Sequence, residues 1–492
     1  MALTVSGQLG TFVGKAITYG TFSGAEITLP DLVVSMDLGS TWIKAGVFAV
    51  DGRCVGLARL AAPKPEPGSG LFDADAYLGV AWSALRCAVS ETSGVGDRIA
   101  GLALTSQRAT MLVVDRSGHA MTPAVSWQAP ATSRGLEAIR EISGEMDFTS
   151  RTGLPFLPMF PVFRLADGDT PWAQAVARGG QVMSLGDYAL RSLGAPPSTD
   201  FSLAGATGLF DVRRLCWDRD LLEAVRMTPE ALPPVEPAGT IVGVVEPSRS
   251  TMAGIMGGTP LILAGGDQPA AVLGAGIVDP PGALISLGTS AAVLVPVEEF
   301  PKHAKTIVLP HVLPGQWVVE VFIGAFGAAL DREAQRQGFT SAEALMAAAG
   351  SSIPVDAPLW KFHGENDLKD LPPVQGLAPA LVVEGLAFEI ARAVGIVRRQ
   401  IEIGPIRVAG GGARSLALVR AIAGALGRPL IRSLAFEAAL TGAAFLAMAG
   451  TGLSGSATGP AGSQEAQEIL CEDTLEHGSL RWQRFLDSWE QG

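Results

Sequence analysis

The sequence is poor in the residues that build metal sites and covalent staples. Its four cysteines, Cys54, Cys87, Cys216 and Cys471, include no pair at CxxC spacing. They read as isolated thiols in a reducing, cytoplasmic setting. The five histidines, His119, His303, His311, His363 and His477, form no HxxxH or HxH cluster, which argues against a His/Cys metal centre. Basic residues are outnumbered, 36 Lys+Arg against 48 Asp+Glu for a net charge of −12. That balance argues against a nucleic-acid partner. No uninterrupted apolar run reaches the roughly 18 residues of a membrane span. Residues 1–30 carry one basic residue, Lys15, and no adequate apolar core for a signal peptide. Neither a GxxxxGK[ST] loop nor a convincing dinucleotide GxGxxG occurs.

Only 17% of residues are charged and 48% are apolar, which excludes intrinsic disorder. A length of 492 residues suits two to four domains with sizeable cores. Residues 1–31, rich in Thr and Gly, read as an N-terminal extension, disordered or otherwise, with no function assigned. Val33–Asp37 is an apolar strand ending in a carboxylate, followed by the turn Leu38–Thr41 and a second strand, Ile43–Val50. Asp73 is placed to cap a helix running to about Ser90. Strands follow at Ile99–Leu104 and Met111–Asp115, and a helix at Asp187–Leu193. Leu261–Ala264 runs into Gly265-Gly266-Asp267-Gln268, with a helix from Pro269 to Leu273. Ala283–Leu287, Gly288-Thr289-Ser290 and Ala291–Val297 make a second hairpin in the form of the first. Two such hairpins fit a two-lobed protein whose lobes share one topology. Val382, Leu386, Ile390, Val394 and Val397 recur at helical spacing, and Ile406–Ala409 ends in three glycines. Helices are expected at about 415–426 and 437–449. The Gly/Ser/Ala-rich stretch 452–467 reads as a flexible linker to a short C-terminal segment.

Four glycine turns therefore follow apolar strands directly: Gly39, Gly265-Gly266, Gly288 and Gly410-Gly411-Gly412. Without a Cβ, backbone N–H groups can approach a phosphate. Ser40, Thr41, Thr289 and Ser290 add hydroxyl donors. Ordinary strand-end turns are the plainer reading of any one of them. Asp37 is either a turn-capping aspartate or a group on the Mg²⁺ side of a phosphate loop. Asp267 is either a helix N-cap or the acceptor of a proton from a substrate hydroxyl during phosphoryl transfer. Lys44 can face phosphate or stand as a solvated strand residue. Gln107-Arg108 offers a fork of donors for a polyol or carboxylate, or a surface ion pair. Trp127 can pack a sugar face or belong to the core.

The ordered motifs resemble the FGGY family of carbohydrate kinases, which includes xylulose, ribulose, gluconate and glycerol kinases. The resemblance covers about residues 32–450. VVSMDLGSTWIKAGVFAVDG (33–52) resembles the family's first phosphate hairpin, and SQRATMLVVD with PAVSW its substrate-side segment. TDFSLAGATGLFDV and LPPVEPAGTIVGVV resemble its mid-domain signatures, and AGGDQPAAVLGAG the segment of the catalytic base. ISLGTSA resembles the second phosphate hairpin, and VAGGGARS with EAALTGAAFLA the adenosine region.

The resemblance implies an α/β fold of two RNase H-like lobes, the actin-like ATPase architecture, around a central cleft. It implies an N-terminal lobe over 32–276 with the sugar site and base. A nucleotide-binding C-terminal lobe would span 277–452, and a linker and tail 453–492. It makes Asp267 the general base and Asp37 the residue that helps hold Mg²⁺. It assigns Ser40, Thr41, Lys44, Gly288 and Thr289 to the ATP phosphates and Gly324 to a nucleotide-side helix start. Gly411, Gly412 and Ser415 would line the adenosine pocket, and Gln107, Arg108, Trp127 and Gln268 would face the sugar. ATP and Mg²⁺ are the implied cofactors, a small carbohydrate the partner, and cytoplasmic catabolism the setting. Dimers are common in the family, and the sequence shows no interface signature.

Three departures stand out. Where the family follows the tryptophan with a W-x-D-x-R pattern, this chain has Trp127-Gln128-Ala129-Pro130-Ala131. Ala328 and Ala329 stand where a Gln or Trp is often found. Ala109 stands beside Arg108 where glycerol kinases carry an acidic residue, which argues against glycerol. The expected activity is ATP-dependent phosphorylation of a sugar, sugar acid or polyol, with ketopentoses such as xylulose or ribulose tested first. The alternatives are a nucleotide-binding pseudokinase, and an actin-like ATPase of the chaperone kind whose hydrolysis no sugar affects.

Overall fold

A computed structural model describes residues 31–92, 98–301, 306–349, 353, 359–360, 379–434, 437–459, 466–470 and 475–490. The N-terminal extension, His303, His363 and Cys471 lie outside them. Cys54, Cys87 and Cys216 are free and exposed. No helix of the described residues is long and apolar enough to cross a membrane.

Two sheets organise the chain. The first is built from β1 (Leu32–Leu38), β2 (Trp42–Ala49), β3 (Cys54–Ala61), β4 (Ile99–Ser106), β5 (Ile241–Val244) and β6 (Pro260–Gly266), in the order β5-β6-β4-β1-β2-β3. Every residue of β1 is buried, as a central strand covered on both faces must be. β1–β3 form an antiparallel meander, and β4 and β6 run parallel to β1. Helix α1 (Ala74–Ser90) covers one face, capped by Asp73 as expected.

The second sheet repeats the plan. Its strands are β7 (Ala283–Leu287), β8 (Ala291–Val297), β9 (Ile307–Pro310), β10 (Trp317–Ile323), β11 (Ile406–Ala409), β12 (Leu430–Ser433) and β13 (Ala466–Ile469). The order is β9-β10-β8-β7-β11-β12-β13. β7, β8 and β10 form the meander, and β11 and β12 are parallel to β7. The two lobes thus share one topology around the two hairpins, the RNase H-like pattern.

One expectation needs correction. The Gly/Ser-rich tail is not only a linker, because residues 466–469 pair antiparallel with β12 as an edge strand. A helix over Leu475–Glu490 follows, and its buried Arg481 pairs with Glu384.

Between the sheets lie two short helices, α2 (Asp267–Gly274) and α6 (Ala438–Gly450), numbered with α3 (Phe326–Arg336), α4 (Pro379–Arg398) and α5 (Leu416–Leu426), which cover the far face of the second sheet. α2 follows the first sheet in sequence yet packs Ala271, Val272 and Ala275 against Leu284, Leu294 and Val318 of the second. α6 follows the second sheet and packs Leu440, Ala444 and Phe445 against Val33, Ala103 and Ile262 of the first. The Ser35 hydroxyl donates to the Leu440 carbonyl at 2.8 Å beneath it. The helices cross backbone to backbone at Gly274 and Gly442. A Cβ on Gly442 would lie 1.9 Å from the Ala270 carbonyl oxygen, and one on Gly274 1.8 Å from that of Ala438. A further core around Phe148, Phe163 and Phe210 forms a cap beside the first lobe.

Candidate active site

A cavity of about 530 Å³ opens between the lobes. Strand ends deliver its chemistry. Asp37 is the penultimate residue of β1, and the tips of the two hairpins face each other across the cleft. The Thr41 and Thr289 hydroxyls stand 2.9 Å apart. Gly327, at the start of α3, fixes the second tip. Its N–H donates to the Thr289 carbonyl at 2.8 Å. A Cβ there would meet the Gly288 carbonyl oxygen at 2.7 Å, so the close approach requires glycine. No sequence signal singled out this residue beyond its GAFG context.

Of the residues expected from sequence, Asp37, Ser40, Thr41, Lys44, Gln107, Arg108, Trp127, Asp267, Gln268, Gly288, Thr289, Gly411 and Gly412 all line this one cavity. Gly324 and Ser415 do not. Gly324 lies in the turn before α3, and Ser415 caps α5, accepting from the Leu418 N–H.

Lys44 is neither a free phosphate ligand nor a solvated strand residue. The β1/β2 register sets it directly opposite Asp37. Its ammonium lies 3.0 Å from Asp37 Oδ2 and 2.8 Å from a Glu437 carboxylate oxygen at the start of α6. Burial works against the charged ammonium, and the two carboxylates outweigh it, raising its pKa.

Asp267 is the first residue of α2, and Gly266 occupies the cap position without a side-chain bond. The N-cap reading of Asp267 therefore falls. Its Oδ1 accepts from the adjacent Gln268 N–H at 2.9 Å. Desolvation raises its pKa to about 6. Arg108 opposes that shift, while Asp37 and Glu320 reinforce it. Arg108 donates through Nη2 to Glu320 at 2.9 Å, and its Nε lies 3.5 Å from Asp267 Oδ1, too far for a hydrogen bond. Three buried polar atoms of the cavity residues lack a partner: Arg108 Nε, Gln268 Oε1 and Asp37 Oδ1.

The cavity wall beside Asp267 and Arg108 is otherwise apolar. Trp127 packs edge-on against Phe322 with ring centroids 5.5 Å apart, and Met159, Phe160, Ile307 and Leu309 complete the wall. The far end is lined by Phe326, Leu330, Ala342, Met346 and the Gly410–Gly412 turn. Glu320 and Glu437 were missed from sequence. Glu320 had a signal, a lone carboxylate inside the apolar run VVEVFI of β10.

Two lobes of one topology, with two hairpin tips and a carboxylate facing a shared cleft, define a two-domain α/β kinase-type fold. The chain belongs to the FGGY family of carbohydrate kinases: the family's N-terminal domain matches residues 32–274 and its C-terminal domain residues 377–451. A glycerol kinase of Aromatoleum aromaticum is 28% identical, over 92% of this chain and 98% of that one. An apulose kinase of Pectobacterium atrosepticum is 27% identical, over 84% and 88%. A xylulose kinase structure from Rhodospirillum rubrum shares the fold at TM-score 0.78 and 20% identity, over 94% and 98% of the two chains. The chain is accordingly a carbohydrate kinase using ATP, and these comparisons lend the pseudokinase and chaperone readings no support.

Proposed function

We propose that this kinase phosphorylates a hydroxyl of a small, uncharged carbohydrate, with Asp267 as general base. The observation that carries the reading is the grouping of Asp267 with two unpartnered polar atoms, Arg108 Nε and Gln268 Oε1. One is a donor and one an acceptor, a match for the hydroxyls flanking the reacting one. The acceptor hydroxyl gives its proton to Asp267 as its oxygen bonds to the γ-phosphorus and the bond to the ADP oxygen breaks. The 39–41 and 288–290 turns hold the phosphates with N–H groups and hydroxyls. Gly411 and Gly412 border the adenosine.

The residues present fit Mg²⁺. Asp37 keeps one buried carboxylate oxygen unpartnered. The cavity is also lined by the carboxylates of Asp37, Asp267, Glu320, Asp331, Glu343 and Glu437 against the cations Lys44, Arg59 and Arg108. Polyanionic ATP needs a divalent cation in such a field. Asp37 would hold it through water, and the ion would neutralise phosphate charge. The same field disfavours a sugar acid, because Lys44 and Arg108 are already paired. The apolar Trp127–Phe322 wall suits the C–H face of a sugar. Among uncharged acceptors we favour ketopentoses such as xylulose or ribulose, with Ala109 still arguing against glycerol.

The test is coupled ADP release with Mg-ATP over D-xylulose, D-ribulose, their 5-deoxy analogues, glycerol and gluconate. Acceleration by a ketose and none by gluconate is expected. Acceleration by gluconate alone would refute the uncharged-acceptor reading. With the best acceptor, kcat/KM should rise with pH through about 6 and then level, because the base acts only when ionised. A flat profile from pH 5 to 8 would remove Asp267 from that role.

A further inference from the structure

Arg108 stands between two carboxylates delivered by different lobes. Glu320 reaches it from β10 of the second sheet, and its side chain is only 2% exposed. Asp267 reaches it from the end of the first lobe's β6, at the start of α2. The guanidinium is hydrogen-bonded to the first, with Nη2 2.8 Å from Glu320 Oε2, and ion-paired at longer range with the second, Nε lying 3.5 Å from Asp267 Oδ1. A buried guanidinium that lost Glu320 would meet Asp267 as its next carboxylate. Bidentate pairing there is strong, and it would cover the oxygen that an acceptor hydroxyl must reach.

We infer that Glu320 is a positioning residue for phosphoryl transfer, acting from the second lobe to hold Arg108 off Asp267. The inference rests on the reading of Asp267 as base. It makes the ion pair across the cleft a condition of reactivity. With Glu320 in place, Arg108 is hydrogen-bonded to Glu320 and keeps only a longer, 3.5 Å ion pair with Asp267, whose second oxygen it does not reach.

The test uses the full chain carrying Glu320→Gln. With Mg-ATP and the panel sugar that the unaltered protein turns over fastest, kcat should fall tenfold or more while the KM for ATP stays within twofold. Glu320→Asp, which keeps the charge, should recover part of the loss and serves if the Gln variant does not fold. A crystal structure of either variant supplies a readout independent of any acceptor. In the Gln variant the Arg108 guanidinium should lie within hydrogen-bond distance of both Asp267 oxygens. The inference is overturned if kcat is unchanged, if kcat and the KM for ATP worsen together, or if Arg108 keeps its place in the variant structure. Asp267→Asn separates the two claims. Activity surviving in that variant refutes the base itself, whereas its loss alongside a normal Glu320→Gln enzyme refutes only the positioning.

Discussion

Replacing Asp267 by Asn is expected to lower kcat by about three orders of magnitude while leaving ATP affinity nearly intact. General-base assistance accounts for about 10²- to 10⁴-fold in such reactions, and here no second base stands ready. Glu320 is committed to Arg108, and Asp37 to Lys44 on one of its oxygens. The Asn side chain keeps the shape of the carboxylate, so the α2 start and the Gln268 N–H contact are preserved. Titration calorimetry with a non-hydrolysable ATP analogue, run beside coupled ADP release, separates the two effects. Loss of nucleotide binding together with turnover would show that Asp267 organises the phosphate site instead of the acceptor proton.

The second large effect is structural. Gly442→Val should destabilise the protein by about 3 kcal/mol or more, at the upper end of overpacking costs. The added atoms would fall 1.9 Å from the Ala270 carbonyl oxygen and near Gly274 N, backbone that no rotamer change can move aside. The displacement passes along α2 to Asp267, and a 1 Å error at a reacting group can cost about 10²-fold in rate. Both urea midpoint and kcat should therefore fall. Gly395→Ala in α4 is the control, because nothing lies within 4 Å of its Cβ position. It should be neutral or stabilising by about 0.5–1 kcal/mol. A Gly442→Val protein as stable as that control would mean that the helix crossing is looser than described.

Much of this was legible in the chain. Apolar runs bounded by turn residues announced β1, β2, β7, β8 and β11, since strands inside a covered sheet are mostly apolar. The glycine turns marked the rim of the cleft because they follow those strands directly. Pairings across long separations were not legible. Arg108 and Glu320 are 212 positions apart, and no local rule links an arginine after one strand to a glutamate inside another. The true setting of Lys44 was hidden for a related reason. Its strand is recognisable, but only the register across the hairpin, and Glu437 from the far end of the chain, reveal that its charge is spent. The edge strand at 466–469 was hidden by the Gly/Ser-rich residues before it, because an exposed edge needs little hydrophobicity.

The exchange of helices between the two sheets bears on how the enzyme can be dissected. An excised piece ending near residue 276 would keep the first sheet but lose α6, the helix that shields Val33, Ala103 and Ile262. Such a fragment would present a bare apolar face and aggregate. Supplied with the remainder as a separate polypeptide, it should regain its cover and the nucleotide cleft together. The lobes are thus parts of a single folding unit, and a nick in the 277–282 connection ought to leave a working heterodimer.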